Sequence, residues 1–206
     1  MQSQFSMAIG LTLEEKKDRK EHIFNELTKN ISSFIIHENK LHENPFLGCL
    51  DSHVKAIQYA KDNRMNSVFI CEDDILISER FHVLEPPPGN WDMLYFGGIL
   101  TCAHDNPQKG WVKGVIWCAH AYVVKSNMFD KIIDTYKELD REMLAENSHT
   151  IDWLYTTFIH PHHDCFLDES QSIIQKEGVS TLTHKNKWGE KWNWDTYSMK
   201  NLEDIV

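Results

Sequence analysis

The apolar and polar positions of the chain predict alternating strands and helices. Phe5 to Ile9 (Phe-Ser-Met-Ala-Ile) reads as a short first strand broken by Gly10. Thr12-Leu13-Glu14-Glu15 has the form of a capping box, with Thr12 as N-cap and Glu15 three residues on. The helix it predicts carries Ile23, Phe24, Leu27 and Ile31 on one face and charges on the other. Ser33 to Ile36 reads as a strand, so the first 40 residues predict a βαβ unit. After a loop of His37 to Asn44, a second helix is predicted over Pro45 to Asn63, with Leu47, Leu50, Val54, Ile57 and Ala60 as its stripe. The run Val68 to Cys71 then has the composition of a strand buried on both faces.

Pro86-Pro87-Pro88-Gly89-Asn90 predicts a rigid exposed connection. Trp91 to Gly98 reads as a further buried strand closing on two glycines. Thr101 to Lys113 reads as a loop, and Val115 to Val124 as one apolar stretch interrupted by His120. Ser126 is placed as the cap of a helix to about Leu139, with Met128, Ile132, Ile133 and Tyr136 for packing. Asp140 to His149 reads as a polar connection. Thr150-Ile151-Asp152 opens a further helix, Cys165 to Leu167 a short strand, and Gln175 to Thr183 another loop. The expectation is an α/β fold in a single domain over 1–206, with a tail from about 184 that carries Trp188, Trp192 and Trp194. That tail suits packing over the domain or stacking of its indole faces on a ligand.

The 206 residues suffice for one domain with a substantial core, and no apolar run approaches the roughly 20 residues of a membrane span. A net charge of −10 argues against a sequence-independent nucleic-acid binder, which needs a basic face. The odd number of cysteines, five, with no Cys-x-x-Cys pair, fits reduced thiols. Met1 to Phe5 lacks a basic region followed by an apolar core, so no signal peptide is expected and the expected location is the cytosol, including a membrane face.

The candidate chemistry centres on Glu72-Asp73-Asp74, at the end of the Val68–Cys71 strand. Three acids cannot enter the core unpaired, so they emerge at the strand's carboxyl edge, where ligands bind in open α/β sheets. Such a cluster reads either as oxygen ligands for Mg²⁺ or Mn²⁺, or as a solvated turn with Asp74 capping a helix. Gly97 and Gly98 allow close approach by a ligand, or a simple turn. His160, His162, His163, Asp164 and Cys165 lack a second ligand pair at a recognised spacing, so zinc is not expected there. Neither GxxxxGK[ST] nor GxSxG is present, which disfavours a phosphotransferase or a serine hydrolase.

Six segments in order carry a family resemblance: Gly48-Cys49-Leu50-Asp51-Ser52-His53, Phe69 to Asp74, Trp91 to Gly97, Ala119 to Val124, Asp152-Trp153-Leu154, and Gln175 to Ser180. Together they resemble glycosyltransferase family 25, the lipopolysaccharide-type and procollagen-type galactosyltransferases. The resemblance implies a GT-A (Rossmann-like) fold, a mixed, mostly parallel sheet flanked by helices. It implies metal-dependent transfer of a hexose such as galactose or glucose from a UDP-sugar to a hydroxyl of a glycan, glycolipid or protein. On that reading Asp74 and Asp73 are metal ligands and His184 a late one. Glu72 lies against the ribose or in the outer shell, with Asp73, Gly97 and Gly98 also on the donor. Asp152 is the general base, or else a helix N-terminal acid held by the helix dipole. His53 is placed to anchor the acidic loop or to serve as a structural hydrogen-bond partner, and His120 and Tyr122 on the acceptor side or in the core. Two departures stand out: the first strand is short, with Ile9-Gly10-Leu11-Thr12 in place of the family's longer strand and opening turn, and Ser180-Thr181-Leu182 replaces its final Ser-Asp-Ile. These departures motivate the alternative of a catalytically inactive GT-A-like module that binds a glycan or a protein.

Overall fold

The computed structural model describes residues 5–105 and 107–176. His184, the Trp-rich tail and Ser180-Thr181-Leu182 lie outside the described residues.

The elements in chain order are β1 (Met7–Leu13), α1 (Lys17–Asn30), β2 (Phe34–Asn39), α2 (Pro45–Asp62), β3 (Ser67–Glu72), β4 (Ile75–Ile77), α3 (Arg80–Val83), β5 (Met93–Tyr95), β6 (Ile99–Ala103), β7 (Trp111–Trp117), β8 (Ala121–Lys125), α4 (Phe129–Glu138), α5 (Arg141–Glu146), α6 (Ile151–Leu154), β9 (Cys165–Asp168) and β10 (Ile173–Gln175). Eight strands form one sheet in the order β2-β1-β3-β8-β5-β9-β7-β6, and β10 pairs with β4 in a small second sheet. Only β8 and β7 of the eight run against the rest. The sheet is therefore mixed and mostly parallel in strand direction, as the resemblance implies.

β3 is an interior strand of this sheet and is buried on both faces, as its apolar run predicts. Val68 and Ile70 face a core built with Leu50, Ile57, Ile132 and Leu154 from α2, α4 and α6. Phe69 and Cys71 face the opposite core, built with Ile23 and Leu27 of α1 and with Phe81, Phe96 and Trp111. Period-two alternation along β3 thus fills both layers. α2 begins at Asn44, whose side chain accepts from the amides of Phe46 and Leu47, and Pro45 occupies the first turn, where its missing N–H costs nothing.

Several sequence expectations give way to tertiary contacts. Gly10 does not end the first strand: β1 runs to Leu13, flanked by parallel partners on both sides. A Cβ at Gly10 would lie 2.9 Å from Ile36 Cδ1 and close to Ile23 and Leu27, so the glycine lets α1 pack onto the sheet. Thr12 is consequently a strand residue and not the N-cap of α1, which starts at Lys17 without a side-chain cap. Two ladders of backbone hydrogen bonds outweigh one local capping box. Phe24 is 51% exposed and meets Phe34 edge-on instead of joining the α1 core face.

The apolar stretch Val115 to Val124 splits at Cys118, whose φ of 78° turns the chain from β7 to β8. Those strands lie in different parts of the sheet, so the sequence run belongs to two elements. The expected loop Thr101 to Lys113 contains the end of β6 and the start of β7. The expected connection Asp140 to His149 contains α5, capped by Asp140, which accepts from the amide of Glu142 at 2.9 Å. Ser126 opens a 3₁₀ turn (Ser126–Met128) that leads into α4, and no side chain caps either element.

Gly97 shows how tightly the small second sheet is laid against the main one. A Cβ there would collide with the Ile173 carbonyl oxygen and with His120 Nε2. Gly97→Ala is therefore expected to destabilise the protein by about 3 kcal/mol or more, at the upper end of overpacking costs. Chemical denaturation checks this: a midpoint equal to that of the unaltered protein would show that the contact relaxes.

Candidate active site

The strand order 2-1-3 places a topological switch point between β1 and β3. From β1 the chain crosses to β2 by way of α1 on one face. From β2 it returns to β3 by way of α2 on the other. Crevices at such points, outside the carboxyl ends of the strands, bind ligands in open α/β sheets. Here the crevice is lined by the ends of β1 and β2, the first turns of α1 and α2, and Glu72, Asp73 and Asp74. Lys16, Arg19 and Lys40 bring positive charge to the same cleft. An anionic ligand therefore meets cations as well as acids in a chain of net charge −10.

The three acids differ in role. Asp73 is buried and clamps the crevice floor. Thr12 Oγ1 donates to its Oδ2 at 2.6 Å and Arg19 Nη1 to its Oδ1 at 2.8 Å. The first bond ties the ends of β1 and β3 together. Asp74 lies 3.6 Å from the same Arg19 nitrogen through Oδ2, while its Oδ1 is buried with no hydrogen-bond partner among the described residues. Burial, then the charges of Glu72 and Asp73, push the Asp74 carboxyl up to about 6 against the pull of the Arg19 charge and of a Gln175 side-chain hydrogen bond. Glu72 faces His53, with 3.6 Å between Oε1 and Nε2, and accepts from Gln175 Nε2 at 3.2 Å. Burial works to raise its carboxyl, but the His53 hydrogen bond and the charges of His53, His120 and Arg19 hold it below the ordinary range.

Asp152 stands at the first turn of α6. Its Oδ1 accepts from the Ala119 amide at 2.6 Å and its Oδ2 from Thr150 Oγ1 at 3.3 Å. Burial and then the Glu72 charge push its carboxyl up to about 6, opposed by His53 and these two hydrogen bonds. The structure thus brings Asp152 into the field of Glu72 and His53, across 80 residues of chain. It also gives Asp152 a structural task, since the bond to Ala119 holds the turn between β7 and β8.

The remaining sequence candidates sit apart from the acids' open side. Gly97 is approached by Ile173 and His120, and Gly98, at φ 149°, exchanges two hydrogen bonds with the Gln171 side chain. The close approaches seen at both glycines are made by the chain itself. Tyr122 is a core residue whose hydroxyl meets His53 Nδ1 at 3.1 Å and Tyr155 Oη at 2.8 Å. His120 is buried, with Nε2 directed at the Ile173 carbonyl at 3.3 Å. His160 is enclosed: its Nδ1 accepts from the Ile116 amide, its Nε2 meets Tyr95 Oη at 2.8 Å, and burial depresses it to about 3. His163 pairs instead with Asp92.

Sequence reasoning missed Lys16, Lys40 and the clamping role of Thr12, because the residues of the cleft come from the ends of three separate strands. It also left Cys49 unassigned. The signal was present, since Cys49 and His53 are four residues apart and face the same way on one helix.

The sheet order, the switch-point cleft and the carboxylates at the β3 edge define a GT-A-like α/β protein. Its likeness to a solved structure carries the same fold: a glycosyltransferase involved in glycosylation of the major capsid of PBCV-1 superposes with a TM-score of 0.57 at 8% identity, over 84% of this chain and 93% of that one. The resemblance to family 25 is borne out over part of the chain: the model of glycosyltransferase family 25 (LPS biosynthesis protein) matches residues 37–113, from β2 into β7. Two further likenesses are a nucleoside-diphosphate-sugar pyrophosphorylase from Vibrio cholerae (TM-score 0.45, 11% identity, 82% of this chain and 76% of that) and the inositol-1-phosphate CTP transferase of T. maritima (0.46, 10%, 88% and 73%). No curated protein sequence matches the chain. Among the described residues no helix is long and apolar enough to cross a membrane.

Proposed function

We propose that this chain, acting as one GT-A domain, transfers a hexose such as galactose or glucose from a UDP-sugar to a hydroxyl of a glycan, glycolipid or protein, with Mn²⁺ or Mg²⁺ at the acids of β3. The observation that carries the reading is the orphaned Asp74 Oδ1 in a cleft that also holds Arg19, Lys16 and Lys40. A buried carboxylate oxygen without a donor is costly, and a bound cation removes that cost. The donor set is all oxygen, which suits these hard cations. Asp74 is the ligand placed to hold the ion directly, and Asp73 is a second ligand through the lone pairs that Thr12 and Arg19 leave. When bound, the cation stabilises the negative charge that gathers on the departing diphosphate.

The chain's own residues supply the rest. Arg19, fixed by Asp73, presents a cation at the crevice floor, and Lys16 and Lys40 stand ready for phosphate oxygens. Glu72, held ionised by His53, is placed for the ribose or the outer shell. Asp152 takes the proton of the acceptor hydroxyl as that oxygen attacks. Gly97 and Gly98 would then shape the donor side through the backbone they set. His184 is a further candidate ligand beyond the described residues. The cytosol, at a membrane face where the acceptor is a glycolipid, is the setting this reading favours. The inactive-module alternative loses one of its two motives, because β1 is seven residues long and its end is tied into the site by Thr12.

Thermal unfolding with a panel of nucleotide sugars, each with and without Mn²⁺, tests the reading. A UDP-sugar at a hundred times its dissociation constant adds about 2.7 kcal/mol of stability. A shift that needs both metal and one UDP-sugar is expected. No shift with any donor, in a protein that unfolds cooperatively, would favour the binding-module alternative.

A further inference from the structure

The side wall of the cleft carries a second donor set, of different chemistry from the carboxylates at Asp74. Cys49 Sγ, a His53 ring nitrogen and a Glu72 carboxylate oxygen all lie within 4.8 Å of one another. Cys49 and His53 project from successive turns of α2, and Glu72 closes the group from the end of β3. All three line the cleft, so the group is reached from solvent. His53 is oriented as a metal-ligating histidine is: Nε2 points at Glu72, and Nδ1 is engaged by the buried hydroxyl of Tyr122, itself bonded to Tyr155. An outer partner on the second ring nitrogen fixes the ring and the tautomer of a ligand histidine.

We propose that Cys49, His53 and Glu72 form a site for a borderline-soft divalent cation of the Zn²⁺ class, separate from the hard-cation position at Asp74. One thiolate, one imidazole and one carboxylate make a three-ligand set that leaves a fourth position open to the cleft. A thiolate selects zinc over magnesium or manganese. Ligand atoms around a tetrahedral zinc stand about 3.3–3.6 Å apart, and His53 Nε2 and Glu72 Oε1, at 3.6 Å, already have that spacing. Glu72 is the ligand able to adjust its position, because its side chain is 30% exposed whereas His53 is 1% exposed and held. Zn²⁺ replaces the thiol proton of Cys49, which leaves to solvent as the zinc–sulfur bond forms. His53 binds through Nε2 as the Nδ1–H tautomer, which then donates to Tyr122 Oη. If the transferase reading holds, zinc bound here draws Glu72 away from the donor side and inhibits transfer, whereas the binding itself does not depend on that reading.

The test uses the metal-stripped full chain with Cys102, an exposed thiol, replaced by serine. Zn²⁺ is titrated by calorimetry, and Co²⁺ by visible absorption, which reports a thiolate ligand as a charge-transfer band. One equivalent of each and a clear band are expected. Cys49→Ser removes the band, and Tyr122→Phe weakens zinc about 10- to 100-fold by releasing the histidine's outer partner. Asp74→Asn leaves zinc binding unchanged while it abolishes the Mn²⁺-dependent donor response. No zinc bound, a band that survives Cys49→Ser, or zinc affinity that follows Asp74 instead of Cys49 overturns the proposal. A zinc site in a protein that ignores every nucleotide sugar would leave the proposal standing and remove the transferase reading alone.

Discussion

Asp74→Asn is expected to abolish Mn²⁺-dependent binding of the nucleotide sugar while the fold survives. Asp74 is the one acid of the three with an unpartnered buried oxygen, whereas both oxygens of Asp73 are held by Thr12 and Arg19. On the proposed reading Asp74 is a direct ligand, and its loss removes most of the ion's affinity. If the dissociation constant rises a hundredfold, the stabilisation seen at saturating donor falls from about 2.7 to about 0.4 kcal/mol. For a chain of this size that reduces a rise of about 5–10 °C in Tm to about 1 °C. The metal-free variant is expected to be more stable than its parent at pH 7, because the asparagine relieves a carboxylate that burial and Glu72 oppose. Thermal unfolding with and without Mn²⁺ and donor measures both effects. Undiminished metal-dependent binding in the variant would move the cation elsewhere in the cleft.

The second large effect concerns Asp152. Asp152→Asn is expected to lower kcat about 10²- to 10⁴-fold, the usual worth of a positioned general base, with donor binding retained. The amide still accepts from the Ala119 N–H, so the turn between β7 and β8 keeps its tether. The parent's kcat/KM is expected to rise with pH through an apparent pKa of about 6, and that limb vanishes in the variant. The sign of the stability effect follows from the same shift. The folded-state value lies above the ordinary 3.8, so ionisation is disfavoured in the fold. Stability is whole below about pH 4, is lost as pH rises towards about 6, and stays lost above it. The variant is therefore expected to match its parent near pH 4 and to exceed it at pH 7 by on the order of 2 kcal/mol. Full activity in Asp152→Asn would leave this acid with its structural task alone.

Much of the architecture was legible because it depends on local pattern. The apolar run of β3, bounded by polar residues, can satisfy both its faces only inside a sheet, and the acids that follow it must then stand at an edge. The stripe Leu47, Leu50, Val54, Ile57 and Ala60 allows only a helix with one buried face, and α2 has it. Errors arose where distant partners outweighed local signals. The capping-box form of Thr12 was overridden by two neighbouring strands, and Phe24 shares the period of α1 yet falls beyond the edge of the core.

The sequence by itself determined the α/β class, the doubly buried strand β3, the position of the three acids at its edge and the family resemblance. Each of these rests on side-chain chemistry within a few residues or on an ordered set of short segments. Only the tertiary structure decided which acid keeps an unpartnered oxygen and which is clamped, since Thr12 and Arg19 reach Asp73 from other elements. It alone brought Asp152 into the field of Glu72, and Cys49 and His53 to the same carboxylate. Protonation and metal affinity depend on burial and on charges a few ångströms away, and those distances exist only after the chain has crossed the sheet and returned.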